Sequence, residues 1–403
     1  MKSVRSLIGV LLVTLFLYPL GALSEIITDR QTWEKTNLLI SDSYCTSNGS
    51  FVVSGYRNEQ DVSIANGLVR SVTESSFVWD DDKTIPTSVV ECYSESGELR
   101  WSWKDEAEMP NVMTVLGEFP DSRILIKAIA VDQWWELGEK HKCFFLIDEK
   151  GKGIPLPLEY QILEQEAFFL TDDGIMIQRK GQTGSFIYYT HEQDALTEVW
   201  SVSYTELDGL WGNQMIAVPG GFVFSGLDIR EENGYQGAVF MLGKNGELKW
   251  KYTTGTKLSM IYDAALLENQ VLCGGVETSF LPDGSVKQRA VLFGLDVFSG
   301  ERTSEYAECA SGVTLINEIE VVDDGKEVIL YGQSRDEMGK TLLITDRLLN
   351  TMEEISFNPE GYFVEQPRIL RQNDQDYSIL YSVYYYESKQ NDVERIQIER
   401  IAS

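Results

Sequence analysis

Histidine is almost absent from this sequence. Two occur in 403 residues, His141 and His191. A multi-histidine metal centre has too few ligands, and a histidine-based triad has almost no supply of general bases. Both read as surface or strand-edge residues. Cysteine is sparse too: Cys45, Cys92, Cys143, Cys273 and Cys309, with no two closer than the 36 residues separating the last pair. This spacing excludes a small disulfide-stapled domain. No C-x-x-C pair exists to build a thiolate zinc site or a thioredoxin-like redox motif. The thiols read as mostly buried, small apolar residues; one disulfide is allowed, but no pair is selected. Basic charge is short, with 34 Lys+Arg against 63 Asp+Glu and a net charge of −29. Proteins that hold nucleic acid need basic patches to neutralise phosphates, so nucleic acid is excluded as a main partner.

Several chemical signatures are missing as well. There is no glycine-rich phosphate loop ending in Lys-Ser/Thr, no G-x-G-x-x-G opening a helix, no H-E-x-x-H and no G-x-S-x-G elbow. Asp80-Asp81-Asp82 and Asn373-Asp374-Gln375-Asp376 are dense in oxygen ligands, but neither has the spacing of a calcium loop. They read as a solvated acidic loop and a polar turn. No cofactor and no bound metal are expected. Asn48-Gly49-Ser50 matches the glycosylation sequon and fits a hairpin turn better.

Apolar residues make up 43% and charged residues 24%, an ordinary soluble composition that excludes disorder, collagen and a polytopic membrane protein. The dense apolar run, Leu7 to Leu17, follows Lys2 and Arg5. Pro19 and Gly21 then interrupt it, and Ala22-Leu23-Ser24 supplies small residues for cleavage. This is the pattern of a secretory signal over residues 1–24, with an uncleaved anchor helix as the alternative. A secreted or cell-envelope location is expected, with no membrane span once the signal is removed. Loss of Lys2 and Arg5 takes the charge from −29 to −31.

Residues 25–403 read as one domain because they repeat. The clearest unit, Trp211 to Thr254, holds four short β-runs: Met215–Val218, Phe222–Gly226, Ala238–Leu242 and Glu247–Tyr252. Gly/Asn turns separate the first pair and the last pair, the composition of consecutive antiparallel strands. The first turn recurs at Asn48-Gly49, Pro120-Asp121, Asp173-Gly174, Gly220-Gly221, Glu268-Asn269, Asp324-Gly325 and Asp374-Gln375. The second recurs at Gly97, Gly151, Asp194, Gly246, Gly300 and Asn350. Both give a period near fifty, and four strands per fifty residues is the spacing of a β-propeller blade. The fold class expected is all-β: a seven-bladed β-propeller of four-stranded antiparallel blades. The last blade ends at a third strand, Val393–Arg400, and the N-terminal segment containing Gln31–Lys35 is expected to close it. Trp101, Trp200 and Trp250, one in each of three fourth strands, are expected to wedge between neighbouring blades.

Gly220–Gly226 followed by Asn245–Trp250 resembles the repeat of bacterial extracellular PQQ-like propellers, in which a "GGFVVAG" strand precedes a "D-x-x-G-x-x-x-W" strand pair. Leu295–Glu301 and Ser94–Trp101 are similar to the same turn. The resemblance covers four blades well and the others loosely; Gly151–Pro155 has no Trp. It implies a propeller with scaffold or ligand-binding roles, as in many members, or a quinone-dependent dehydrogenase, as in a few. The adjacent cysteines of a quinone site are not in this sequence.

Long insertions between second and third strands, at Arg57–Pro86, Ala130–Lys142, Leu227–Gln236 and Glu277–Arg289, are expected as loops on one face. They place Trp79, Asp80, Asp81 and Asp82 beside Asp132, Trp134 and Trp135. Trp211, in a blade-to-blade link, joins the same face. Aromatic rings among acids on rigidly held loops suit carbohydrate, peptide or protein ligands. The expected function is therefore binding or scaffolding by a monomer, more an interaction protein than an enzyme. The alternative is a carboxylate-dependent glycan hydrolase or lyase on the same face.

Overall fold

The computed structural model describes residues 26–32, 38–57, 87–94, 96–104, 111–130, 142–156, 166–179, 184–192, 195–229, 235–306, 313–322, 325–334, 340–357, 362–363, 368–371, 376–385 and 390–400. Among the described residues the regular elements are strands, apart from 3-10 turns at Thr205–Leu207 and at residue 325. After β1 (Ile26–Thr32), they form six four-stranded antiparallel sheets, each a meander in chain order. Sheet I holds β2 (Leu38–Cys45), β3 (Phe51–Arg57), β4 (Thr87–Tyr93) and β5 (Leu99–Trp103). Sheet II holds β6 (Asn111–Glu118), β7 (Ile124–Ala130), β8 (Lys142–Ile147) and β9 (Gly153–Leu156). Sheet III holds β10 (Glu166–Thr171), β11 (Gly174–Arg179), β12 (Gly184–Glu192) and β13 (Ala195–Tyr204). Sheet IV holds β14 (Leu210–Val218), β15 (Gly221–Asp228), β16 (Gln236–Gly243) and β17 (Leu248–Lys257). Sheet V holds β18 (Ser259–Leu267), β19 (Gln270–Phe280), β20 (Val286–Asp296) and β21 (Arg302–Glu305). Sheet VI holds β22 (Val313–Val322), β23 (Glu327–Ser334), β24 (Lys340–Asp346) and β25 (Thr351–Phe357).

A further sheet draws on both ends of the chain. β26 (Tyr362–Phe363) and β27 (Arg368–Arg371) flank β28 (Asp376–Tyr385), which pairs with β29 (Gln390–Arg400). β1 lies beside β29, from Ile26↔Arg400 to Thr32↔Glu394. Of the N-terminal segment expected here, Gln31 and Thr32 lie in β1, while Trp33, Glu34 and Lys35 lie outside the described residues.

The turn residues explain the repeat. Gly49, Gly97, Gly151, Gly220, Gly246, Gly300 and Gly325 all have positive φ, which tight hairpins demand and glycine meets without strain. At the turn between third and fourth strands an aspartate often closes the loop. Asp148 Oδ1 accepts from the backbone N–H of Lys150 and Lys152, Asp296 Oδ1 from Phe298 and Ser299, and Asp346 Oδ1 from Leu348 and Asn350. Part of the chain's large acidic charge is thus spent on turns.

The sheets pack face to face, and the core lies in the seams between them. One cluster joins Met241 and Trp250 of sheet IV to Ile261, Cys273 and Phe293 of sheet V; another joins Leu272 and Leu292 of sheet V to Ile319 and Leu330 of sheet VI. With both faces covered, central strands read as continuous apolar runs, such as Phe222-Val223-Phe224. The fourth-strand tryptophans lock the outer part of three seams. Trp101 lies against Gly151 of the next sheet, Trp200 against Gly246 and Trp250 against Gly300, so close that a β-carbon there would approach the ring to 2.9, 2.9 and 2.6 Å. Trp200 Nε1 donates to the Lys244 carbonyl and Trp250 Nε1 to the Val297 carbonyl, both at 2.9 Å.

The stretch Glu277–Arg289, expected as a loop, is largely strand. Glu277 pairs with Arg289 and Phe280 with Val286, so β19 and β20 continue as a ribbon to a turn at Leu281–Ser285. Thr278, Phe280 and Val286 are good strand formers, and register pairing between the two halves keeps the ladder going where a loop was expected. The Leu227–Gln236 insertion is shorter than its sequence span, because β15 runs to Asp228 and β16 starts at Gln236.

Candidate functional site

The first strand of each sheet touches the first strand of the next, from β2 through β6, β10, β14 and β18 to β22. These strands therefore line the middle of the assembly. Four of them carry a β-bulge at the same place, at Ser41, Asn213, Tyr262 and Asn317. The partner strand has a glycine there each time: Gly55, Gly226, Gly275 and Gly332. The glycine is required because the bulge drives a first-strand carbonyl into the space of its side chain. A β-carbon at Gly226 would collide with the Trp211 carbonyl oxygen, and one at Gly275 with that of Met260. Bulges re-aim side chains, and those at Asn213, Tyr262 and Asn317 bring these residues to one central cavity.

This cavity, of about 600 Å³, opens between β14, β18 and β22. Asn213, Gln214, Tyr262, Asn317, Glu318 and Glu320 are among its lining residues, with Asp263 at its wall. The bulges fall four or five residues into each first strand. They are thus nearer the end where second strands finish and where the connections 58–86 and 131–141 depart.

Polar side chains of this layer also stitch the sheets together. Ser54 Oγ donates to the Met113 carbonyl, and Gln178 donates to the Leu210 carbonyl while accepting from Gly212 N. Asn213 Nδ2 donates to the Ile261 carbonyl at 3.3 Å. The Asp263 carboxylate accepts from the buried Ile319 N–H at 2.7 Å and from Ala264 N–H at 2.8 Å. Asp263 is thereby committed to structure. Asn317 Oδ1 is different: it is buried and accepts no hydrogen bond among the described residues. A buried acceptor left without a donor costs about 1–3 kcal/mol, which a ligand donor in the cavity would recover.

Burial raises the Tyr262 hydroxyl, which lines the cavity, above its ordinary value, whereas Cys92 and Cys273 are placed for structure. Burial pushes the Cys92 thiol up to about 11 and raises Cys273 further; both are free and buried, far from the thiolate a nucleophile needs. His191 stacks on Phe119 with ring centroids 4.4 Å apart, across the seam between sheets II and III. Among the described residues no group of three or more His, Cys, Asp or Glu is placed to hold a metal ion.

Of the residues expected at the site, Trp79, Asp80, Asp81, Asp82, Asp132, Trp134 and Trp135 lie outside the described residues. Trp211 is not in a link: it is the second residue of β14, half-buried, its backbone paired with Leu227, two residues before the bulge at Asn213. Tyr262, Asn317, Glu318 and Glu320 were not anticipated. The signal for them is the glycine at the sixth position of the second strand, in Ser225-Gly226, Gly274-Gly275 and Tyr331-Gly332, which marks a bulge on the strand before it.

No protein-family model matches the chain, and no curated protein sequence matches it. Solved structures do. The polysaccharide lyase Uly1 superposes with a TM-score of 0.57 at 9% identity, over 90% of each chain. The Neurospora crassa Pan2 WD40 domain gives 0.51 at 7% identity, also over 90% of each. The WD40 β-propeller domain of Doa1 gives 0.51 at 9% identity, over 92% of this chain and 97% of that one. The fold is a β-propeller. At these identities the likeness concerns architecture alone, and the propellers it joins range from WD40 domains to a lyase.

Proposed function

We propose that this chain is an exported propeller that binds a glycan, peptide or protein partner at the mouth of its central cavity. In this reading residues 1–24 are a cleaved signal, and 25–403 form one monomeric, PQQ-like, seven-bladed ring in the cell envelope or outside it. β1 serves as the outer strand of the last blade. Its pairing with β29, and the contacts of β27 with both β22 and β2, support that closure. In this reading the connections carrying Trp79, Asp80–Asp82, Asp132, Trp134 and Trp135 contribute the rim, together with Trp211.

The observation that carries the binding reading is Asn317 Oδ1, an acceptor with no donor among the described residues, in a cavity whose polar lining combines amides, a tyrosine and carboxylates. Such a wall suits hydroxyl- or amide-rich ligands. The test is a glycan and peptide array probed with the mature protein. Asn317→Ala and Tyr262→Ala should each weaken capture about tenfold, the loss of one to two hydrogen bonds, without moving the melting temperature. Trp134→Ala with Trp135→Ala should do the same from the rim. Unchanged capture by all these variants overturns the site.

A second reading, carboxylate-dependent cleavage of a polysaccharide, is favoured by one observation. Glu318 and Glu320 both line the cavity and, two residues apart on one strand, share a face of β22. Strand geometry separates them by roughly 7 Å, within the spacing carboxylate pairs use on glycosides, and Uly1 is itself a polysaccharide lyase. Shortening of a polysaccharide by the native protein, abolished by Glu318→Gln with Glu320→Gln, would establish it in place of simple binding.

A further inference from the structure

Sheet V departs from its neighbours at its outer edge. In sheets III, IV and VI the fourth strand covers the third to its far end: Gly184 pairs with Tyr204, Gln236 with Lys257 and Lys340 with Phe357. β21 pairs only with Phe293, Gly294 and Leu295 of β20, and Tyr306 N–H adds one bond to the Leu292 carbonyl. Among the described residues, Val286–Val291 has no strand on that side. Because the Leu292 carbonyl points to the open side, the period-two alternation turns the backbone groups of Ala290, Gln288 and Val286 the same way.

The surroundings of this edge are those of a docking strand. The ribbon projects beyond the body of the sheet, and its tip is apolar: Phe280 is 66% and Val286 57% exposed, with Leu281 exposed beside them. Exposed Tyr235 lies two backbone hydrogen bonds away, through Leu258 to Thr278. A hollow of about 230 Å³ adjoins the edge, its lining including Thr254, Arg289, Val291, Phe293 and Arg302.

Charge selects the occupant. On a chain of net charge −29, this edge gathers three cations. Arg289 is paired with Glu277 at 2.5 Å, Arg302 reaches Glu305 at 3.4 Å and lies over the Phe293 ring, and Lys287 has no ion pair among the described residues. Lys287 and Arg289, two apart on one strand, share a face. A second copy adding its own β20 about Gln288 would set Lys287 opposite Arg289, and like charges directly opposite destabilise a pair.

We propose that the exposed stretch Val286–Arg289, whose outer edge carries no strand among the described residues, docks an extended acidic segment of a partner protein by strand addition. Acidic side chains at alternate positions would meet Lys287 and Arg289, while the apolar tip covers the end of the added strand. This site stands apart from the central cavity.

The probe is a fluorescein-labelled eight-residue peptide of alternating Glu and Val, titrated with the mature protein and read by anisotropy. Saturable binding is expected, weakened by salt, with none for the matching Lys-Val peptide. Gln288→Pro removes an outward-facing N–H at a position where an edge strand tolerates proline, and Lys287→Glu reverses a contact. Each should raise Kd about tenfold with the melting temperature kept, while Tyr262→Ala leaves peptide binding intact. Absence of Glu-Val binding, equal binding of Lys-Val, or indifference to both variants overturns the proposal. Concentration-dependent dimerisation lost in Gln288→Pro would assign the edge to a second copy instead and also overturn it.

Discussion

Sheets IV and V share a plan in their inner strands and part company at the rim. Both carry the bulge-glycine pair, at Asn213 with Gly226 and at Tyr262 with Gly275. Each stitches its inner strand to the next sheet, through Asn213 onto Ile261 and through Asp263 onto Ile319. At the rim, sheet IV sends Trp250 across onto Gly300. Sheet V has Ser304 at the matching position, four residues after its turn glycine, and no ring crosses from it. The turn it faces, in sheet VI, carries Leu349 instead of glycine. Leu349 adopts φ 60°, a conformation costing a non-glycine residue about 1–2 kcal/mol. It is 4% exposed, in a cluster against which Tyr306 packs, and burial of a leucine returns roughly 1.5–3 kcal/mol. A seam can therefore be filled from either side, by a large ring on a bare glycine or by a turn residue reaching back.

The inner plan, common to both sheets, should break hardest. Gly226→Ala or Gly275→Ala pushes a β-carbon into a first-strand carbonyl, and we expect a loss of about 3 kcal/mol or more, or no folded protein. Gly255→Ala, also at positive φ (71°) but with nothing within 4 Å of the new carbon, should cost only about 1–2 kcal/mol. Chemical denaturation of the three variants checks the order; equal losses would mean that conformation, and not the bulge, is what demands glycine.

The rims should separate next. Trp250→Ala removes a buried ring and its hydrogen bond, at about 3–5 kcal/mol. Leu349→Gly loses apolar burial but relieves its backbone, so it should cost about 2 kcal/mol less. Adding Ser304→Trp to Leu349→Gly rebuilds in seam V/VI the arrangement of seam IV/V. Thermal melts should find the double variant more stable than Leu349→Gly alone, and the reverse result would show that the two seams are not interchangeable.

What could be read from the sequence follows the same division. The repeat was legible because tight turns need glycine or aspartate at fixed places, and such needs are local. The tryptophans of sheets I, III and IV were legible because a ring four to six residues after a turn has one neighbour to meet. The cavity was not. Two asparagines and a tyrosine, Asn213, Asn317 and Tyr262, form no sequence motif, and what unites them is a bulge, a property of two paired strands written only in the glycine opposite. The Glu277–Arg289 ribbon was missed for a related reason. Its residues are polar enough for a loop, and pairing between the two halves of the hairpin makes it strand. Trp211 looked like a link residue because Asp208-Gly209 precedes it, yet the bulge lets β14 begin that early.

The smallest effect concerns the turns, and it again divides sheet IV from sheet V. In sheet V the backbone N–H and hydroxyl of Ser299 hold the Asp296 carboxyl below its ordinary value, and in sheet VI the Asn350 side chain does so for Asp346. The matching turn of sheet IV has Gly243 where the others have aspartate and closes on two backbone bonds, Gly243 N–H to the Glu247 carbonyl and Gly246 N–H to the Gly243 carbonyl; the Glu247 carboxyl is also held below its ordinary value, but chiefly by Lys249. A carboxyl whose folded value is depressed adds stability above its unfolded value, near 3.9, and loses it as pH falls through the folded value. Both aspartates are exposed, so global stability should hardly register this, but local opening should. As pH drops below about 4, exchange protection of the Gly300 and Leu349 amides should fall relative to Gly246, once the intrinsic pH dependence of exchange is divided out. Asp296→Asn, which keeps an acceptor oxygen without the titration, should flatten the response at Gly300 and leave that at Leu349. If Gly246 loses protection in step with the other two, acid is acting on the whole ring and not on aspartates closing individual turns.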